Sequence, residues 1–89
     1  MSKQKYKDAV AALGCIICGG PACLHHPRFV CGMSQRASDW LVIPLCMYHH
    51  QWGTYGHAIH NGQQEFEKNY GTEQELLAKT IEKIFEGGK

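Results

Sequence analysis

Cysteines and histidines recur at metal-ligand spacing through the middle third of this 89-residue chain. Cys15 and Cys18 form a C-x2-C pair, and His25 and His26 stand side by side seven residues on. Cys46 and His49 then form a C-x2-H pair, followed at once by His50. Structural zinc takes four ligands in a closed tetrahedron. Cys15 and Cys18 offer two from a turn, and Cys46 and His49 offer two from a helix start. For any single cysteine the ordinary alternative is a buried free thiol; four ligands at these spacings favour a metal. The remaining histidines are enough for a second, open metal, and a closed site beside an open one points to catalysis.

A cation held by two or three imidazoles keeps positions for water and a phosphate oxygen, where it polarises the phosphoryl group. A neighbouring metal-free histidine, with an ordinary pKa of ~6.5, suits proton removal from the attacking water. The plain alternative for His25 and His26 is a pair of surface or zinc-supporting histidines. His57 and His60 complete the inventory as a third ligand, a phosphate contact or solvent-exposed side chains, and His60 is assigned to the ligand set. Asp39 is the one carboxylate near the motif. It is a candidate partner behind a ligand histidine, an acceptor tying the loop, or a turn cap. Arg28 and Arg36, with Ser34 and Gln35, are loop residues suited to phosphate contacts, as they are to a solvated loop. Cys23 and Cys31 fall outside the ligand pattern and read as core or loop thiols, with Cys23 the alternative to one of the four ligands. Trp52 and Tyr55 read as core residues rather than base-stacking ones.

Length allows one domain, residues 1–89, with a modest core that needs a staple. Five cysteines are an odd count, accompanied by six histidines. Met1 to Leu13 is Lys-rich with no apolar stretch of the signal-peptide kind, and no apolar run is long enough to span a membrane. The expectation is a cytoplasmic protein that uses its thiols for metal rather than disulfides. Net charge is +1. Five basic residues stand against two acidic ones up to position 60, and four against six beyond it. The first part is therefore compatible with a polyanion partner.

The elements that must position these ligands read as follows. Ser2 to Leu13 is a helix with Tyr6, Ala9, Val10 and Leu13 on one face, capped by Ser2 and ended by Gly14. Cys15 to Pro21 is a compact knuckle turn, Ala22 to Pro27 is extended, and 30–38 is loop. Trp40 to Ile43 is the best strand, which Pro44 should end. A short helix from Met47 carries histidines and is interrupted at Gly53 or Gly56. Gly62 to Tyr70 is a helix that Gly71 stops. Thr72 and Glu75 form a capping box before a last helix with Leu76, Leu77, Thr80, Ile81, Ile84 and Phe85 on one face. Gly87 to Lys89 should fray.

Cys15-x-x-Cys18, His25-His26-Pro27 and Pro44-Leu45-Cys46-x-x-His49-His50 together resemble the HNH nuclease superfamily, whose ββα-metal core is two strands and a helix around one catalytic metal. The chain is most similar to the phage recombination-enhancement (Ref-type) group. The stretch Gly32 to Asp39 has a counterpart there, as do Ile59-His60-Asn61-Gly62, Phe66-Glu67 and Tyr70-Gly71. The resemblance covers residues 14–72. It implies an α+β fold, a zinc-braced ββα-metal core with flanking N- and C-terminal helices. It implies that His25 and His50 bind the catalytic metal, Mg²⁺ or Mn²⁺, and that His26 is the general base. It implies that Cys15, Cys18, Cys46 and His49 hold structural Zn²⁺. The chain departs from the pattern at the central Asn of the name: Asp39 stands roughly there. His49 replaces the usual Cys, a mild change because both ligate zinc. The expected activity is hydrolysis of DNA phosphodiesters by a phage- or prophage-derived endonuclease linked to recombination. Its expected partners are DNA and a recombinase-coated DNA filament, with no membrane, and it would act as a monomer or weak dimer. The rival reading is a non-enzymatic zinc module that binds nucleic acid or protein.

Overall fold

A computed structural model describes residues 2–27 and 38–86. Helix α1 (Lys3–Ala12) comes first, then strands β1 (Cys23–His25) and β2 (Ile43–Leu45). A single wide π-turn (Tyr48–Trp52) follows, then helices α2 (Gln63–Tyr70) and α3 (Glu73–Glu86). This is a small α+β arrangement built on one two-stranded antiparallel ribbon. The expected loop over 30–38 and the fraying of Gly87 to Lys89 fall largely or wholly outside the described residues, as do Arg28, Cys31, Ser34, Gln35 and Arg36.

Local signals set most element boundaries. Ser2 Oγ accepts from the Lys5 N–H at 3.2 Å, capping α1. Thr72 and Glu75 form the reciprocal capping box of α3: the Thr72 N–H donates to Glu75 Oε1 at 2.9 Å and the Glu75 N–H to Thr72 Oγ1 at 3.1 Å. The second strand differs from expectation. Trp40 and Leu41 lie in a turn, and β2 runs through Pro44, paired with Leu24. Proline is tolerated because both its backbone groups face away from β1. The Pro44 carbonyl accepts instead from the Ile16 N–H of the knuckle turn at 2.9 Å. A ribbon with a free edge leaves no ladder bond for the missing N–H to break.

Ile43 and Leu45 form the core with Cys15, Ile59, Phe66, Leu76 and Leu77, and Ile16, Ile17, Leu41, Tyr70 and Ile81 pack around it. The last helix buries Leu76, Leu77 and Thr80 as its periodicity requires. That stripe stops short of the helix end, where Phe85 is 80% exposed. Among the described residues no helix is long and apolar enough to cross a membrane.

Candidate metal centres

Four donors converge where the knuckle turn meets the end of β2. Cys15 sits in a turn closed by its own N–H to the Gly20 carbonyl and by the Gly19 N–H back to the Cys15 carbonyl, both 2.8 Å. Cys46 follows β2 directly, and His49 lies in the π-turn. Cys18 Sγ is 3.7 Å from Cys46 Sγ, Cys15 Sγ is 3.7 Å from His49 Nδ1, and Cys46 Sγ is 3.2 Å from the same nitrogen. All four donor atoms lie within 4.8 Å of one another. A tetrahedron with Zn–S of ~2.3 Å and Zn–N of ~2.05 Å has edges of about 3.6–3.8 Å. The donor set and its spacing therefore fit a structural zinc, as the spacing of the sequence predicts.

The electrostatics of this cluster agree. Burial raises the Cys15 thiol, but backbone N–H groups of Cys46, Cys18 and Ile17 outweigh it and hold the pKa below its ordinary value. At Cys18 the Gly20 N–H lowers the pKa, yet burial and the neighbouring Cys46 and Cys15 thiols win and raise it. Gathered thiols resist ionising together, and a bound dication offsets that repulsion. Burial first, and the charge of His57 second, push His49 down, which keeps the imidazole neutral.

A second group forms from His25, His50 and His60, whose ligand nitrogens also lie within 4.8 Å of one another. His50 Nε2 and His60 Nε2 are 3.1 Å apart. Two nitrogens at ~2.1 Å from one ion, subtending 90–109°, would stand about 3.0–3.4 Å apart. The group is assembled from β1, the π-turn and the segment before α2. The His60 N–H donates to the His50 carbonyl at 3.1 Å and the Ile59 N–H to the His49 carbonyl at 2.8 Å, tying that segment to the turn. Burial, followed by the charges of His60 and His25, lowers the His50 pKa to about 4. His50 is thus a neutral lone-pair donor at pH 7. Three imidazoles suit a first-row transition ion better than Mg²⁺, which prefers oxygen.

The π-turn places consecutive residues in different clusters. It closes through the Gly53 N–H to the Tyr48 carbonyl at 2.7 Å. A Cβ on Gly53 would stand 2.6 Å from the Tyr48 oxygen, so glycine is required there by space. Such wide turns recur at functional sites.

His26, one residue beyond β1, goes elsewhere. Its Nε2–H donates to Asp39 Oδ1 at 2.9 Å, while Lys7 Nζ approaches Asp39 Oδ2 at 3.9 Å. Of the roles open to Asp39 from sequence, the structure shows a hydrogen-bond partner of a histidine, and that histidine is His26 rather than a member of the three-histidine group. His57 is not in either cluster: its Nδ1 pairs with the Tyr70 hydroxyl at 2.7 Å. Trp52 and Tyr55 correct the core expectation, being 73% and 68% exposed. They lie on the segment joining His50 to His60.

Two contacts were missed in the sequence. His25 Nε2 pairs with Glu73 Oε2 at 2.6 Å, and both side chains are buried, at 3% and 4% exposure. Cys23 Sγ lies 3.3 Å from His50 Nδ1. Glu73 stands inside the capping-box segment, which accounts for it locally, and its partner is 48 residues away. Only the period-2 alternation of β1, which puts Cys23 and His25 on one face, offered a signal for Cys23.

The uncharacterized protein YdfU of Escherichia coli (strain K12) is 33% identical to this chain over 86 residues, an alignment that spans 91% of the chain and 22% of the relative. The chain therefore spans less than a quarter of that relative's length. The family model for DUF968, a protein of unknown function, matches residues 1–88, so the chain belongs to the DUF968 family.

Proposed function

We propose that this chain is a metal-dependent endonuclease domain of the HNH type, which hydrolyses DNA phosphodiester bonds. The observation that carries this reading is the His26–Asp39 pair beside His25 of the three-histidine group, on a ribbon and turn braced by the separate Cys15/Cys18/Cys46/His49 cluster. A zinc-binding module needs only the second of these. Antiparallel β1 and β2, followed by a helical π-turn that carries His49 and His50, support this reading.

His25, His50 and His60 would hold the catalytic cation, with Mn²⁺ better suited than Mg²⁺ to an imidazole face. When bound, such an ion polarises the phosphoryl group and stabilises the departing oxygen. The chain's own chemistry centres on His26. Asp39 accepts the Nε2–H and so leaves the lone pair on Nδ1, the atom that removes the proton from attacking water. The carboxylate also stabilises the imidazolium that results. Arg28 and Arg36 are proposed phosphate contacts, and exposed Trp52 and Tyr55 add faces on which bases can stack. The substrate is DNA, naked or presented as a recombinase-coated filament.

The test incubates the zinc-loaded protein with supercoiled plasmid and a single-stranded circle, each with Mg²⁺, Mn²⁺ or EDTA, and with recombinase-coated DNA. Cleavage that requires the ion and is lost in His26→Ala supports the reading. A folded, zinc-bound protein that cuts none of these substrates sinks it. The second reading, a non-enzymatic zinc module that binds nucleic acid, is favoured by the same exposed Trp52 and Tyr55. It predicts salt-sensitive DNA binding without turnover.

A further inference from the structure

Which nitrogen each histidine presents is decided by what its other nitrogen meets. His25 is buried in β1, and its Nε2 faces the carboxylate of Glu73, the first residue of α3, at 2.6 Å. A carboxylate only accepts, so Nε2 carries the proton and Nδ1 keeps the lone pair. His50 has the opposite arrangement. Cys23, two residues before His25 on the same face of β1, donates its S–H to the Leu45 carbonyl at 3.1 Å. Its sulfur is then the acceptor for His50 Nδ1–H at 3.3 Å. That leaves the lone pair on His50 Nε2, the atom 3.1 Å from His60 Nε2.

We propose that Glu73 and Cys23 are positioning residues that lock His25 and His50 in opposite tautomers, so that the three-histidine group offers His25 Nδ1 and His50 Nε2 to a first-row divalent metal ion. The inference rests on the metal-site part of the preceding reading and not on the nuclease chemistry. Glu73 contributes in two further ways. Its negative charge sits close to the group in a buried setting, where it favours a dication. It also stands at the N-terminus of α3, whose dipole favours a carboxylate at that end. Through this one bond the last helix is tied to a ligand on the first strand. Partners of this kind behind a metal-binding histidine fix ring orientation and raise ligand basicity, and their loss typically weakens metal binding about 10–100-fold.

The test uses the full chain loaded with one equivalent of zinc. Long-range ¹H–¹⁵N correlation of the histidine rings, before any second ion is added, should show His25 as the Nε2–H form and His50 as the Nδ1–H form. Titration with Co²⁺, followed by its visible spectrum and by calorimetry, then reads the second site. Glu73→Gln and Cys23→Ala should each bind Co²⁺ about 10–100-fold more weakly while retaining one zinc per chain. Cys23→Ser, which keeps a donor and an acceptor, should lie near wild type, and Cys23→Ala should lose the single His50 tautomer. His25 in the Nδ1–H form, or His50 in the Nε2–H form, in the wild type would overturn the proposal, as would unaltered Co²⁺ affinity in both variants. The wild-type tautomers decide the matter even if Glu73→Gln fails to fold. A wild-type chain that takes up no Co²⁺ beyond zinc removes the metal site itself, and the inference with it.

Discussion

His49 and His50 are neighbours in sequence that belong to different clusters: His49 Nδ1 lies 3.2 Å from Cys46 Sγ, and His50 Nε2 lies 3.1 Å from His60 Nε2. The π-turn that carries both makes the second group depend on the first. Ordering the turn around a zinc orders His50, and through the backbone bonds from Ile59 and His60 it orders His60 as well.

The two clusters should differ in how much of the fold each holds up. Cys15→Ser or Cys46→Ser should lose zinc, unfold the domain and abolish uptake of a second ion. Zinc sites of this kind are worth about 10–16 kcal/mol, more than or similar to the ~5–15 kcal/mol of a whole domain. His50→Ala and His60→Ala should keep one zinc per chain and lose only the second ion. Elemental analysis with a thermal melt on the same samples separates the two patterns. A Cys15→Ser protein with a native melt would contradict the structural role.

For the proposed hydrolysis, His26→Ala should cut the rate by about 10²–10⁴-fold with fold and metal content unchanged. Asp39→Ala should lose no more than that, and the double variant should be no worse than His26→Ala alone, because the two act as one unit. Additive losses in single-turnover cleavage would mean that Asp39 works through something other than His26. Lys7→Ala should matter little, since a partly exposed pair at 3.9 Å is worth at most ~1 kcal/mol.

Gly53→Ala tests the turn itself. The added methyl meets the Tyr48 carbonyl oxygen at 2.6 Å and the backbone of His57 and Ala58 at 3.2 Å, none of which is a flexible side-chain tip. Overpacking of this sort costs about 1–3 kcal/mol. The expected outcome is a lower melting temperature together with weaker binding at both clusters. A variant with wild-type melting and metal content would show that the turn relaxes freely.

The α3 capping box gives a pH signature. The Thr72 N–H, and then its hydroxyl, hold the exposed Glu75 carboxyl below the usual carboxylate range. A lowered folded-state pKa means the stabilisation is present above the unfolded pKa of ~4.3 and is lost as pH falls through the folded value. Thr72→Ala should cost about 1 kcal/mol at neutral pH. Thr72→Ala keeps the backbone N–H that donates to Glu75 Oε1, so Glu75→Gln reads the pH dependence: its deficit against wild type should shrink as the pH falls through the folded-state value. Denaturant melts across that range would show it, and a pH-independent gap would assign the cap to groups other than the carboxylate charge.

Much of this protein is written locally, and that part was legible. Ser2 and Thr72 cap helices by bonds three residues long, Gly71 stops α2, and a C-x2-C pair with a C-x2-H pair names four ligands because each half-site is a single turn of chain. Side-chain chemistry nominated the remaining histidines for a second group, and the family resemblance singled out His25 and His50 among them. Tertiary structure decided what depends on distant contacts. Pro44 stays in β2 because its carbonyl finds Ile16 rather than β1. His26 turns to Asp39, and His57 is taken by Tyr70. His25 and His50 acquire Glu73 and Cys23 as partners 48 and 27 residues away. Spacing along a chain reports which donors can share one turn, whereas the proton on an imidazole is set by whichever atom the fold brings to its far side.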